Sequence, residues 1–351
     1  MKRQLQEEDS LTLPDEIWYT IFMMLECERT LLLTMFVVCK RWSAVIQREV
    51  TRLNYHIPLS DVLLGRVPRL NMLLLPRKHL VTTNGLRGLT ALKSLVVSRS
   101  EPALVLLANL TNLTSLTDID RDGGNTMLPP SMPYLQSLSL LHNKHITDAA
   151  LLSVVSTLKS LRLDSCLHVS PECVAQLTRL QSLDVSFLHP YDADKMIRGL
   201  TANLESLRVE SGQHLSDATL SKCTRLVRLD LHYSSDSLTG ESFLNLSSLT
   251  RLTIRGAHKR DNKFVSGGVL PASLRMLSLC EHSRKLMRGD ETHLTALEVL
   301  DLYGTLVTRS SWLTHFPKLR ELYVFDLLTD KLTRSRMDDQ LTIFEGRVFD
   351  L

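Results

Sequence analysis

A short leucine pattern, L-x-x-L-x-(L/V/I), recurs along most of the chain and constrains its fold more than any other feature. Successive copies begin 21 to 25 residues apart, with a mean period of about 22.6 residues. The copies begin at Leu70, Leu92, Leu113, Leu135, Leu158, Leu180, Leu204, Leu226, Leu249, Leu274, Leu297 and Leu319, and the copy at Leu113 is imperfect because Asp118 stands where an aliphatic residue belongs. Twelve copies in phase indicate a repeat protein in which each unit stacks on the next.

Each unit predicts one short strand. Side chains alternate between the two faces of a strand, so the residues at the fourth and sixth positions point to the same face and into the core. Neighbouring units then lie side by side in a parallel sheet. After several strands an apolar residue is followed by Ser or Thr, as in Ile146-Thr147-Asp148 and Val169-Ser170-Pro171. Ser and Thr are preferred helix N-caps, and Pro or an acidic residue fits the first turn. The sequence therefore predicts an α/β solenoid with short helices and turns on the face opposite the sheet.

These motifs resemble the leucine-rich repeat family, in the variant where a helix-capping (I/V/L)-(T/S)-D follows the strand. The resemblance implies a horseshoe with the parallel sheet on its concave face, and it covers residues 56–345 as about 12 repeats including a C-terminal cap. The ninth position, which in that family is Asn or Cys bonding the backbone between strands, is Asn143 and Cys166 in two units only. We expect this ladder to be partial.

Composition narrows the possible partners and compartments. The formal net charge is +3 and 44% of residues are hydrophobic, which argues against nucleic acid or a membrane surface as a partner. The charged N-terminus has no apolar stretch before Leu11, so we expect no secretory signal. Six cysteines without a C-x-x-C pair indicate neither a disulfide framework nor a zinc site. We expect a cytoplasmic or nuclear protein, or one found in both.

The N-terminal segment lacks the repeat and predicts helices. Pro14 fits a first helical position, and Ile17, Ile21 and Leu25 form an apolar stripe at helical spacing. The run L13-P14-D15-E16-I17, followed by I21-F22 and by V38-C39-K40-R41-W42, resembles the F-box. The resemblance implies that residues 11–55 dock on the Skp-type adaptor of a cullin–RING ubiquitin ligase. The residues expected to bind the adaptor are Leu13, Pro14, Ile17, Ile21, Val38, Cys39, Lys40 and Trp42.

A second interpretation of the N-terminal helices stays open. Solenoids need a polar cap at each open end, and this segment could serve only as that cap. The chain would then be a non-enzymatic scaffold or inhibitor with no ligase partner.

A target protein would contact the concave face, where positions three, five, seven and eight point outward. Position three is Ser in six consecutive units and then changes to Arg228 and Arg251. Position five alternates in charge through Arg162, Asp184, Arg208 and Asp230, which indicates either a cross-strand ion ladder or a docking stripe. Outward aromatic residues and Arg are enriched at binding hot spots. The residues expected to bind the target are Arg208, Asp230, His232, Tyr233, Arg255, Tyr303, Tyr323 and Phe325.

No constellation indicates catalysis by this chain. The run Asp118 to Gly123 begins like a calcium loop, but Pro129 stands where the bidentate Glu is required. His142 and His145 have no further ligand at metal-binding spacing. No P-loop, G-x-G-x-x-G, G-x-S-x-G or H-E-x-x-H motif is present. We therefore expect a non-catalytic, cofactor-free subunit without a metal site, which holds an unidentified target protein near a ligase.

Overall fold

A computed structural model describes the fold of most repeats. It describes residues 44, 47, 50–53, 59–75, 81–97, 107, 110–119, 128, 132–143, 145–186, 192–210, 215–232, 238–255, 270–280, 292–302, 315–324 and 342–345. Within these ranges, fourteen strands form one sheet in which every strand pairs in parallel with the next strand along the chain. The strands are β1 (Arg52–Leu53), β2 (Met72–Leu75), β3 (Ser94–Val97), β4 (Ser115–Ile119), β5 (Ser137–Leu141), β6 (Ser160–Asp164), β7 (Ser182–Ser186), β8 (Ser206–Glu210), β9 (Arg228–His232), β10 (Arg251–Arg255), β11 (Met276–Cys280), β12 (Val299–Leu302), β13 (Glu321–Val324) and β14 (Thr342–Glu345).

The twelve strands from β2 to β13 are the twelve predicted repeats. Each strand begins two residues after the leucine that opens its repeat, and equivalent positions pair in register; for example, Leu161 lies opposite Leu183. The parallel sheet and the leucine-rich repeat solenoid are therefore confirmed. Strands β1 and β14 extend the sheet by one strand at each end, where the leucine pattern had given no signal.

Leucines at positions one, four and six build the core. In the repeat of β6, the side chains of Leu158, Leu161 and Leu163 are fully buried, and the same positions are buried in the neighbouring repeats. Each buried leucine contributes about 1.5–3 kcal/mol relative to an exposed one. Because each repeat packs only on its neighbours, the stability of the solenoid depends on every interface between repeats.

Short helices follow several strands, as the capping motifs predict. They are α1 (Asp61–Leu64), α2 (Thr83–Arg87), α3 (Asp148–Leu152), α4 (Pro171–Ala175), α5 (Ala193–Ile197) and α6 (Asp217–Leu220). Thr147, Ser170 and Ser216 occupy the N-cap positions of α3, α4 and α6. A 3₁₀ helix, Glu241–Asn245, follows Gly240, whose φ of 89° makes glycine the favoured residue there. Gly240 occupies the N-cap position of this helix, and Thr239 before it donates its amide and hydroxyl to Asp217 of the preceding repeat.

Carboxylates link several of the described helices to the next repeat. The backbone amide and hydroxyl of Ser170 donate to Asp148 at 2.8 and 2.6 Å, while the same hydroxyl accepts the Cys173 amide at 3.1 Å. Asp194 receives the Ser216 amide at 2.9 Å in the same way. Ser170 and Ser216 therefore cap their own helices and also bond the preceding repeat, whereas the Thr147 side chain accepts no capping hydrogen bond.

The buried acid at the sixth position of the repeat that contains β4 also has a hydrogen-bond partner. Asp118 is fully buried where other repeats carry an aliphatic residue, and it accepts a hydrogen bond from the Asn143 amide at 3.1 Å. The Asn143 oxygen in turn accepts the amides of His145 and Ile146, each at 2.9 Å. The polar group thus ties β4 to the turn after β5 and leaves the sheet register intact.

The described thiols are buried in the repeats. At the ninth position of its repeat, the Cys166 thiol donates to the carbonyls of Leu140 and Asp164, both at 3.5 Å. Burial raises the pKa of Cys166, Cys173 and Cys223 to about 12 in each case. These three thiols are therefore protonated and unreactive at neutral pH. None of the helices in the described part of the chain has the length and apolar character needed to cross a bilayer.

Candidate functional site

The face of the sheet opposite the core is the candidate binding surface, and we call it the open sheet face. It is formed by side chains at positions three, five and seven of each repeat, which are mostly half-buried while positions four and six are buried. Because the strands pair in register, each position forms a continuous row across the sheet. A flat, regular array of this kind fixes the spacing of its side chains without using loops.

A charged network occupies the middle of the open sheet face, on β6 to β9. The Nε atoms of Arg162 and Arg208 lie 3.3 and 3.9 Å from the two carboxylate oxygens of Asp184. Arg208 also lies 3.9 Å from Asp230 and 4.0 Å from Glu210. The alternating charges at position five therefore form a cross-strand ion ladder, and Glu210 adds a third carboxylate.

Several close contacts in the network lack hydrogen-bond geometry. His232 Nε2 lies 2.8 Å from Asp230 Oδ1, yet both atoms are buried without hydrogen-bond geometry to any described residue. The same holds for the Nε atoms of Arg162 and Arg208. These side chains are therefore held at fixed spacing without a full set of hydrogen bonds among the described residues.

Asp184 is the carboxylate that lies between the two arginines of this network. Burial raises its pKa, and the nearby charges of Arg162 and Arg208 lower it by less than burial raises it. The ionised form of Asp184 is therefore less favourable in the folded protein than in the unfolded chain.

We expect Asp184→Asn to change the free energy of unfolding at pH 7 by less than about 1 kcal/mol, because partly exposed ion pairs contribute little. A raised folded-state pKa gives stability that is present at low pH and is lost as the pH rises through that pKa. Relative to the variant, the native protein should therefore gain stability as the pH falls from 7 toward 3.8, the ordinary value for Asp. Urea unfolding at both ends of this range measures the difference. A relative loss of stability on acidification would contradict the assignment.

The C-terminal end of the open sheet face carries a second polar group of side chains. The Tyr323 hydroxyl donates to Glu321 at 2.7 Å, and burial together with this bond raises the pKa of Tyr323 to about 12. On the neighbouring strands, the Ser278 hydroxyl donates to Asp301 at 2.8 Å. Tyr323 is half-buried and stays a neutral hydrogen-bonding aromatic residue at physiological pH.

The structure places five of the eight expected target-binding residues on the open sheet face. They are Arg208, Asp230, His232, Arg255 and Tyr323. Tyr233, Tyr303 and Phe325 lie outside the described residues. Arg208 and Asp230 are engaged with each other and with neighbouring charges, so their role in binding a target stays a prediction.

The eight expected adaptor-binding residues also lie outside the described part of the chain. They are Leu13, Pro14, Ile17, Ile21, Val38, Cys39, Lys40 and Trp42. Closer to the sheet, Val50 packs against the core and Arg52–Leu53 form β1, so the end of segment 11–55 joins the solenoid.

No metal site is formed by the residues that the structure describes. They contain no group of three His, Cys, Asp or Glu side chains close enough to hold an ion. Two residues weighed as metal ligands from the sequence have other surroundings. Asp118 accepts a hydrogen bond from Asn143, and His142 lies in the turn after β5 with a backbone φ of 58°.

Two arginines to which the sequence had given no role stand out on the open sheet face. Arg228 and Arg251 lie directly opposite each other on β9 and β10, and both are exposed. Together with Glu205, Val227 and Thr250 they line an open groove where β8, β9 and β10 begin. In the sequence, only the change from Ser to Arg at position three indicated a role for these two arginines. Whether they are available to a ligand depends on which nearby carboxylates are already paired with other cations.

Comparison with known proteins supports the fold. No protein-family model and no curated protein matches the chain. Solved structures do match it. One chain of the crystal structure of the yeast Rad7–Elc1 complex has a TM-score of 0.54 at 20% identity, over 94% of this chain and 92% of that one.

Two bacterial proteins match less closely. An internalin from Listeria monocytogenes has a TM-score of 0.49 at 16% identity, over 84% of this chain and 79% of its own. A leucine-rich repeat protein from Leptospira interrogans has a TM-score of 0.49 at 18% identity, over 83% and 81% of the two chains. At these identities the likeness concerns the fold alone.

Proposed function

We propose that this leucine-rich repeat solenoid is the target-binding subunit of an SCF-type, cullin–RING ubiquitin ligase. The module of residues 11–55 would dock on a Skp-type adaptor, and the open sheet face would bind a target protein. The chain itself performs no chemistry in this proposal. Its contribution is to hold the target close to the ligase, which raises the effective concentration of target lysines.

The observation that carries the target-binding half is the charged, in-register open sheet face. The buried leucines form the core on one side of the sheet, whereas β6 to β10 also present arginines, carboxylates and His232 at fixed spacing on the opposite side. Charged rows arranged in this way give specificity and fast encounter with a complementary protein. The yeast structure with the same fold is a complex of two proteins, Rad7 and Elc1.

The adaptor-binding half rests on the sequence pattern from Leu13 to Trp42. The Leu13→Ala/Pro14→Ala double variant should weaken binding of a purified Skp-type adaptor at least tenfold, because it removes the apolar contacts that open the motif. Isothermal titration calorimetry measures the affinity, and circular dichroism checks that the solenoid is still folded. A matched control is Leu244→Ala, which truncates an exposed leucine on the 3₁₀ helix and should leave adaptor binding unchanged.

Unchanged adaptor affinity in Leu13→Ala/Pro14→Ala would refute the docking role. So would the absence of any binding between the adaptor and the native chain.

The capping alternative is supported by a separate observation, since Val50 packs on the core and β1 pairs with β2. Deletion of residues 1–42 separates the two proposals. It removes the segment that carries the F-box-like pattern and retains Val50 and β1, which contact the solenoid. A docking module predicts a folded solenoid that no longer binds the adaptor. A pure cap predicts a loss of folded structure and no adaptor binding even in the native chain.

A further inference from the structure

Two like-charged side chains face each other on the open sheet face. Arg228 on β9 and Arg251 on β10 are register partners, and both are exposed. Like charges directly opposite each other across neighbouring strands destabilise a sheet. The two exposed guanidinium groups therefore concentrate positive charge at one place on the open sheet face.

Nearby carboxylates do not neutralise this pair. Among the described residues, neither arginine has a carboxylate within 4.0 Å, since the acids on neighbouring strands and turns are already paired with other cations. The pairs are Glu205 with Arg225 at 3.4 Å, Asp230 with Arg208 at 3.9 Å and Glu298 with Arg275 at 3.1 Å.

A third arginine extends the positive charge along the same strand. Arg255 lies four residues after Arg251 on the same face of β10, about 13 Å away at the usual rise of a strand. Its Nε atom is buried and has no hydrogen-bond partner within the described ranges. The next strand offers no neutralising acid at the paired positions, because Met276 lies opposite Arg251.

An open groove of about 280 Å³ lies beside Arg228 and Arg251. Its lining includes Val227, 37% exposed, and Thr250, so an extended segment crossing it would find apolar as well as charged contacts. Glu205 also lines the groove, but it is paired with Arg225. Positive charge spaced over about 13 Å fits a segment of four or five extended residues better than a single anion.

We propose that Arg228, Arg251 and Arg255, the arginine patch, bind an extended acidic segment of the target protein through its Asp or Glu carboxylates. The inference rests on the proposed target-binding function and specifies the chemistry of the target. Arginine suits this role because its planar guanidinium binds carboxylates through two parallel hydrogen bonds. Asp230 of the neighbouring ion ladder is paired with Arg208, 3.9 Å away, so its charge is already engaged.

The test uses the full chain and a fluorescein-labelled ten-residue peptide of alternating Glu and Gly, with an alternating Gln and Gly peptide as its neutral counterpart. The Arg228→Gln/Arg251→Gln variant should bind the Glu peptide at least tenfold more weakly by fluorescence anisotropy. The matched control is Arg179→Gln/Arg275→Gln, which removes the same net charge from two exposed arginines outside the groove that already have partners, the Ser156 carbonyl and Glu298. We expect the control to weaken binding less than threefold and higher salt to weaken binding by the native chain.

Three outcomes would overturn the proposal. Equal losses in the two double variants would show a general charge effect, and equal affinity for the Gln peptide would show that carboxylates are not recognised. A ten-nucleotide single-stranded RNA that binds at least tenfold more tightly than the Glu peptide would assign the patch to another class of ligand.

The outcome is separable from that of the ligase proposal. Adaptor binding is measured independently and should be the same in native chain and in Arg228→Gln/Arg251→Gln. If the adaptor binds but the Glu peptide does not, only the arginine-patch proposal fails. If the peptide binds at the patch but the adaptor never binds, the ligase role fails and the patch stands.

Discussion

Gly199→Ala should lower the free energy of unfolding by about 3 kcal/mol, at the upper end of what overpacking costs. Gly199 lies two residues after α5, where the backbone of α4 in the preceding repeat comes very close. An added Cβ would lie 1.9 Å from the Ala175 carbonyl oxygen and 2.8 Å from its carbon. Since backbone atoms cannot move aside as a side-chain tip can, the two repeats must separate to accommodate the methyl group.

The matched control is Gly88→Ala. Gly88 caps α2 in an ordinary right-handed helical conformation, and an added Cβ would meet no atom within 4 Å. This substitution should be neutral or stabilise the protein by about 0.5 kcal/mol, because alanine restricts the unfolded chain. Urea unfolding followed by circular dichroism compares the two variants. Equal midpoints for Gly199→Ala and Gly88→Ala would show that the α4–α5 approach is not tight.

Asp217→Asn should lower the free energy of unfolding by about 3 kcal/mol, as measured by urea unfolding. Hydrogen bonds to a charged group each contribute about 1.5–3 kcal/mol to stability, and buried donors left unpaired cost more. The Asp217 carboxylate receives the amide and hydroxyl of Thr239 at 2.6 and 2.9 Å. It also receives the amide of Gly240 at 3.1 Å and the amide and hydroxyl of Ser242 at 3.0 and 2.7 Å. An asparagine would turn an NH₂ group toward one set of these donors.

The pH dependence of this effect has a definite sign. Burial raises the pKa of Asp217, but the hydrogen bonds from Ser242 and Thr239 together outweigh burial and lower it below the ordinary 3.8. A lowered folded-state pKa gives stability that is present above the unfolded value and is lost as the pH falls through the folded one. The stability difference between native protein and Asp217→Asn should therefore shrink below about pH 3.8.

The matched control for Asp217→Asn is Glu241→Gln, an exposed carboxylate in the first turn of the 3₁₀ helix. It should change the free energy of unfolding by less than 0.5 kcal/mol, as is usual for surface substitutions. A loss of similar size in both variants, or a difference that grows in acid, would refute the role given to Asp217.

The repeat architecture could be predicted from the sequence because its signal is periodic. A single leucine in a strand is ambiguous, but twelve equivalent ones at a constant spacing determine strand, register and core together. The pattern missed β1 and β14 because their repeats replace the aliphatic residues. Tyr55 stands at the sixth position of the repeat that begins at Val50, and Gln340 and Glu345 stand at the first and sixth positions of the last repeat.

Polar interactions between repeats could be predicted only in part. The caps at Ser170 and Ser216 were predictable from local sequence, whereas the bonds from these caps to Asp148 and Asp194 join residues 22 positions apart. Such pairs follow from the stacking of repeats and have no local signal. The Asp118–Asn143 bond, 25 positions apart, belongs to the same class.

The open sheet face shows the same division. Alternating charges at position five indicated either an ion ladder or a docking stripe, and only the positions of Arg162, Asp184 and Arg208 show the ladder. Among the residues that the structure describes, Arg228 and Arg251 have no carboxylate partner, and residue type alone could not reveal this because it depends on the partners of other residues. The adaptor-binding residues from Leu13 to Trp42 stay a sequence-based proposal.

The central claim is that adaptor docking and target binding belong to separate parts of one chain. Hydrogen–deuterium exchange of the full chain, with and without a purified Skp-type adaptor, tests it most directly. We expect the adaptor to slow exchange in residues 11–42 and to leave β2 to β13 unchanged. Protection on the open sheet face, or no protection anywhere at saturating adaptor, would contradict the claim.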